Sequence, residues 1–188
     1  MKRWKPIFVV IAVVALIGGV IYGPRAWTVW RFSGVPHVPS VDSDFTNLGH
    51  ILPSPGAGIA RLHLGLAHNF QDKETFKEEV WHSPTFSLHG YRFHEEQWTA
   101  DAAFRLTAAR LLTDSKTFTA YAGPMMCGGY HADFAACLDA PGSPCWFLVC
   151  LGCEEVIIFH GNEELICDLD PHAWRELLEA FRAAGGRK

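Results

Sequence analysis

MMCGGYHADFAACLDAPGSPCWFLVCLGCEEV, residues Met125 to Val156, holds five of the chain's six cysteines. It also holds the turn on which the fold depends. The segment DAPGSP packs two prolines and a glycine between two apolar runs, a strong hairpin signal. Tyr130 to Leu138 and Trp146 to Cys150 then become antiparallel neighbours. If Cys137 faces Cys145, Phe134 faces Leu148, Ala132 faces Cys150 and His131 faces Leu151. Two consequences follow. Cys137 and Cys145 would be adjacent across the strands, close enough for a disulfide at a non-hydrogen-bonded pair. At the far end, Cys127, His131, Cys150 and Cys153 would converge.

The chemistry of that convergence turns on Leu151-Gly152. If the pair forms a tight turn, Cys150 and Cys153 point the same way. With Cys127 and His131 they then make a Cys₃His set suited to zinc. If the strand runs straight, the two sulfurs alternate to opposite faces. A disulfide of Cys127 with Cys150 or Cys153 is then the simpler reading. Redox chemistry is the third reading. It is disfavoured because this C-x-x-C lies between β-runs rather than at a helix start, where the attacking thiol's pKa would fall. Glu at position 154 rules out the C-x-x-C-H of c-type haem attachment. Asp133 alternates with His131 and is placed to orient it. Cys167 reads as a buried strand residue.

Outward from this core, Val156 to Phe159 and Glu164 to Cys167 flank HGNE, a second hairpin. Asp170 and Pro171 then open a helix in which Trp174, Leu177, Leu178 and Phe181 share a face, and Gly185-Gly186 ends it. Upstream, Trp98 to Leu112 reads as a helix. Phe76 to Ser83 reads as a strand, and SLHGY (Ser87 to Tyr91) as a turn-like segment. The expected fold is α+β: an antiparallel meander of about four or five strands, with one helix before it and a C-terminal helix packed on it.

The N-terminus carries Lys2, Arg3 and Lys5, then an uncharged run from Ile7 to Tyr22. Such a run is a transmembrane anchor or a signal-peptide core. The absence of an A-x-A-like site after it, and the flanking Trp4, Tyr22, Trp27 and Trp30, favour a retained anchor. The expected arrangement is an anchor or signal peptide over 1–23, a proline-rich linker over 24–60 and a folded domain over 61–188. The basic flank places the N-terminus in the cytoplasm and the domain outside; cleavage would instead give a secreted protein. Setting aside the three flank cations leaves 13 basic against 20 acidic residues, a net of −7. That balance argues against nucleic acid as a partner. In an oxidising compartment six cysteines suggest disulfides first.

SLHGY, CGGYH and FLVCLGCEEV together resemble an uncharacterised family of bacterial, often exported proteins. In that family an F-H-G-Y-like segment precedes a helix. A C-F-x-P-x-H-like segment follows it, and an I-C-F-x-C segment ends the hairpin. The resemblance covers about the second half of the chain and points to His89, Gly90 and Tyr91, to Cys127 and His131, and to Cys150 and Cys153. The Cys-to-His spacing is one shorter here, the intervening proline is missing, and leucine replaces phenylalanine between the paired cysteines. It implies export and no particular activity.

There is no G-x-S-x-G, phosphate-binding glycine loop or H-E-x-x-H. The other histidines, among them His63, His68, His82 and His94, read as surface or hydrogen-bonded residues. Glu154 and Glu155, adjacent on a strand, would face opposite ways and make no acid pair. The leading reading is a membrane-anchored, non-enzymatic binding or structural module outside the membrane, stabilised by cysteine cross-links. A zinc-binding domain and an envelope thiol–disulfide oxidoreductase are the alternatives.

Overall fold

The computed structural model describes residues 44–68, 71–123, 130–140 and 142–186, with helical residues at 16, 18–20, 22–23 and 26–27. The domain is α+β, as expected. Its sheet is larger than the expected four or five strands: eight antiparallel strands lie in the order β2-β3-β1-β5-β6-β7-β8-β4. The strands are β1 (Ile59–Gly65), β2 (Thr85–Leu88), β3 (Tyr91–Gln97), β4 (Phe118–Ala120), β5 (Phe134–Leu138), β6 (Cys145–Cys150), β7 (Glu155–His160) and β8 (Glu163–Leu169). The helices are α1 (Leu48–Ile51), α2 (Lys73–His82), α3 (Ala102–Leu112) and α4 (Pro171–Ala183).

The meander β5-β6-β7-β8 is built as its turns require. Asp170 accepts from the backbone N–H groups of His172 and Ala173 and so caps α4, with Pro171 in the first turn. Strands β5 and β6 are buried at every position. Antiparallel strands with one wet face alternate; these do not, because both faces are covered. On one face α3 and α4 bury Phe104, Leu111, Leu177 and Phe181 against Phe134, Phe147, Val149 and Ile158.

The other face is covered by the sheet's own edge. His89 and Gly90 fill the turn between β2 and β3 at φ 48° and 87°, the left-handed pair of a type I′ hairpin. The His89 ring stacks on Phe159 of β7, centroids 3.8 Å apart and planes 5° from parallel. In a flat sheet β3 and β7 would be about 19 Å apart at the usual strand spacing. The sheet therefore curls, and Tyr91 and Phe93 close over Ala135, Leu148 and Ile157. Register irregularities in β1, between Ile59 and Arg61 and between His63 and Gly65, lie where the bend is needed. Gly65 is required there: a Cβ would sit 1.7 Å from the Ala132 carbonyl oxygen.

Three expectations are corrected. Residues 76–82 are not part of a strand but the body of α2, and Ser83 is its C-cap. Asp72 accepts from Thr75 N–H to cap it, and Phe76 and Val80, one turn apart, pack on Leu66 and Ala67. The helix read from Trp98 starts later, at Ala102 behind an Asp101 cap, while Trp98 packs against Phe104 and Phe181. The linker ends earlier than residue 60, since Leu48 and Ile51 are buried in the core between the sheet and its helices. No helix among the described residues is long and apolar enough to cross a membrane. Most of the run 7–22, expected as the anchor, lies outside those residues.

Candidate functional site

The β5–β6 register differs from the expected one by a single residue. Cys145 faces Leu138, and Cys137 faces Trp146. Because side chains alternate along a strand, one step moves a residue to the other face. Cys145 thus lies on the helix side, where its thiol donates to the Ile51 carbonyl at 3.7 Å. Cys137 lies on the curled side, 3.7 Å from an Arg61 nitrogen; that guanidinium also stacks 4.8 Å from the Trp146 ring centre. Both thiols are free, so the expected Cys137–Cys145 disulfide is not formed. Cys167 is buried opposite Val156, as read from the second hairpin.

At the other end of the hairpin three of the four residues expected to converge, His131, Cys150 and Cys153, line one cavity. Residues 151–154 form a turn, with Glu154 at φ 61°. Cys150 and Cys153 consequently fall on the same, curled side of the sheet. The turn is held from three directions. Asp133 Oδ2 accepts from Leu151 N–H at 2.6 Å. The Trp174 indole N–H of α4 donates to the Leu151 carbonyl at 2.8 Å. The Cys150 sulfur accepts from Cys153 N–H at 3.2 Å. Cys153 is itself disulfide-bonded. Cys127 lies outside the described residues.

His131, Asp133, Cys150 and Cys153 line a cavity of about 410 Å³, together with His68, Gln71, Asp72, Trp174 and Arg182. That size lies within the range of small-molecule pockets. His131 Nε2 donates to the Leu66 carbonyl at 2.5 Å, which fixes the ring. Its Nδ1 lies 3.8 Å from Asp133 Oδ1, beyond hydrogen-bond reach, while the other carboxylate oxygen of Asp133 accepts from the turn. The His68 ring lies 5.0 Å from that of His131.

The thiols here are poor nucleophiles. Burial, reinforced by the Asp133 carboxylate, pushes Cys150 up to about 12 despite backbone N–H donors from His131 and Cys153. Burial does the same to Cys145 and Cys167, each raised to about 12. Among the described residues no group of three His, Cys, Asp or Glu side chains is arranged to hold a metal ion. Of the family-like residues, His89, Gly90 and Tyr91 sit at the β2–β3 turn. Tyr91 meets Tyr130 edge to face at 5.3 Å, but none of the three lines the cavity.

Sequence reading placed none of His68, Gln71, Asp72, Trp174 and Arg182 at the site. Asp72 was findable, because D-x-x-T ahead of an i, i+4 apolar pair is a helix-start signal. Trp174 reads from sequence as core; its indole N–H, used at the site, shows only in three dimensions. Glu155, not Glu154, is the buried acid of the adjacent pair, at 2 % exposure. The chain matches no protein-family model, no curated protein and no solved structure.

Proposed function

We propose that this chain is a membrane-tethered binding module outside the membrane, and that a small polar molecule is held in the cavity above the Leu151–Glu154 turn. One observation carries the reading. The cavity floor is held by hydrogen bonds from Asp133, Trp174 and the Cys150 sulfur to the Leu151–Cys153 turn, while His68, His131, Asp72 and Arg182 supply polar groups around it. A pre-formed pocket with a few convergent polar groups favours binding, because little ordering remains to be paid on association. Cys150, the free thiol in the lining, is pushed by burial toward its protonated form, which argues against nucleophilic chemistry.

The disulfide at Cys153 supports an oxidising compartment. Cys137, Cys145, Cys150 and Cys167 are free, which leaves Cys127 as the partner of Cys153 in this reading. A zinc site built from Cys127, His131, Cys150 and Cys153 requires Cys153 as a thiolate, and a sulfur in a disulfide is not one. The metal reading therefore applies to the reduced chain. An oxidoreductase is disfavoured because Cys150 and Cys153 span a strand-to-strand turn, with no helix dipole to stabilise a thiolate.

A thermal-shift screen of small polar molecules, chiefly amino acids and short carboxylic acids, tests the proposal. At least one compound is expected to raise the wild-type melting temperature and to lose that effect in Arg182→Ala and His131→Ala. A screen with no stabiliser, or with stabilisers indifferent to both substitutions, would remove the cavity from the proposal.

A further inference from the structure

Helix α2 joins the cavity to the N-terminal segment. Asp72 caps one end of it and lines the cavity. Trp81 stands at the other end, where its ring meets that of Tyr22 at 5.9 Å and 42°. Tyr22 is the last residue of the uncharged run. Tyr22 and Trp27 remain 53 % and 49 % exposed, and Leu16 and Val20, helical residues of the same segment, 71 % and 70 %. An apolar face so exposed is covered by lipid if the run enters a bilayer.

We infer that the Trp81 end of α2 is seated in the lipid headgroup layer, so that the cavity opens beside the membrane surface. The inference rests on the anchor reading above. Tryptophan and tyrosine favour the membrane–water interface, where an apolar ring and a polar N–H or O–H are both accommodated. Trp81 is only half-buried and lies outside the Phe76–Val80 cluster that docks α2 on the domain. That cluster fixes the backbone of the helix, so the Cα of Trp81 keeps its place relative to the domain. Trp81 lies nine positions beyond Asp72, about 14 Å along a helix at 1.5 Å per residue. The cavity therefore lies within one short helix of the headgroups.

The lipid partner is a neutral one. Helix α2 carries Lys73 and Lys77 against Glu74, Glu78 and Glu79, and one pair, Lys77 with Glu74, is already closed at 2.8 Å. The acidic domain adds no attraction for anionic lipid. Contact through aromatic rings is expected to be insensitive to salt, unlike a polybasic contact.

The test uses the full chain in phosphatidylcholine vesicles, with Trp4, Trp27 and Trp30 changed to Phe. Trp81, Trp98, Trp146 and Trp174 then remain. Lipid brominated near the headgroup is expected to quench part of the tryptophan emission, in low and high salt alike. Trp81→Phe in this background should abolish that quenched component. A near-native melting curve excludes misfolding of the variant, and Trp81→Tyr replaces it if the phenylalanine variant melts early. A chain that floats with the vesicles but shows no Trp81-dependent quenching overturns the inference and leaves the anchor standing. A chain that does not float overturns both.

Discussion

The two ends of the β5–β6 hairpin carry the same residue type to opposite outcomes. At the turn end, Cys137 and Cys145 are close in the sheet yet face different cores, and both thiols stay free. At the far end, Cys150 and Cys153 reach the same side because a turn follows the strand. The difference is parity. Along a strand, direction alternates with every residue, so one step in register decides whether two sulfurs can ever meet. A turn breaks the alternation and brings near neighbours to one side. Proximity in a sheet is thus a weaker statement than orientation.

The far end is the more vulnerable of the two, and Gly65→Ala breaks it most severely. The new methyl group would overlap the Ala132 carbonyl, which belongs to backbone and cannot rotate away. We expect a loss of more than about 3 kcal/mol, in the range of severe steric substitutions, read as a large fall in denaturation midpoint. A midpoint close to wild type would show that β1 and β5 part there without cost.

Cys153→Ala should cost about 2–4 kcal/mol, the usual worth of a native disulfide. The matching change at the turn end, Cys137→Ala, removes only a small buried group and should cost about 1 kcal/mol. Equal losses would erase the distinction between the ends. Thiol counting on the denatured, unreduced chain sharpens the same point: four free thiols are expected, and six would mean that no disulfide forms.

Asp133→Ala leaves the Leu151 N–H without its carboxylate acceptor, at a cost of about 1–3 kcal/mol. Its ligand-induced thermal shift should fall further than that of a surface Asp→Ala variant. An unchanged shift would mean that the turn does not shape the cavity.

Alkaline pH gives a smaller, graded effect. Cys145, Cys150 and Cys167 move from 9.0 when unperturbed to about 12 in the folded chain. Between these values the folded chain binds more protons than the unfolded one. The stabilisation is full below pH 9 and is lost progressively as pH rises towards 12. Denaturation midpoints in Cys167→Ala should accordingly fall less steeply over that window than in wild type. Parallel curves would mean that Cys167 already ionises in the folded state.

Local signals were the legible ones. DAPGSP and HGNE announced the hairpins, and Asp170-Pro171 announced α4, because turn and cap geometry depends on a few adjacent residues. The same logic was available for α2, where Asp72 and the Phe76–Val80 spacing outweigh the brevity that makes it resemble a strand. The register was not legible. DAPGSP says that the chain reverses, not which residue ends up opposite which, and a slip of one leaves every turn residue in place. The curl of the sheet was equally hidden, since it depends on His89 meeting Phe159, 70 positions apart.

By itself the sequence determined the α+β class, the order of the meander and the closing helix, and it brought His131, Cys150 and Cys153 to one end of the hairpin. Only the tertiary structure decided which sulfurs share a face, that the second face is roofed by the β2–β3 hairpin, and that Asp72, Trp174 and Arg182 complete the cavity. The division has a physical cause. Backbone propensities act over a few residues, whereas register and curvature are chosen by side chains packing across the whole sheet at once.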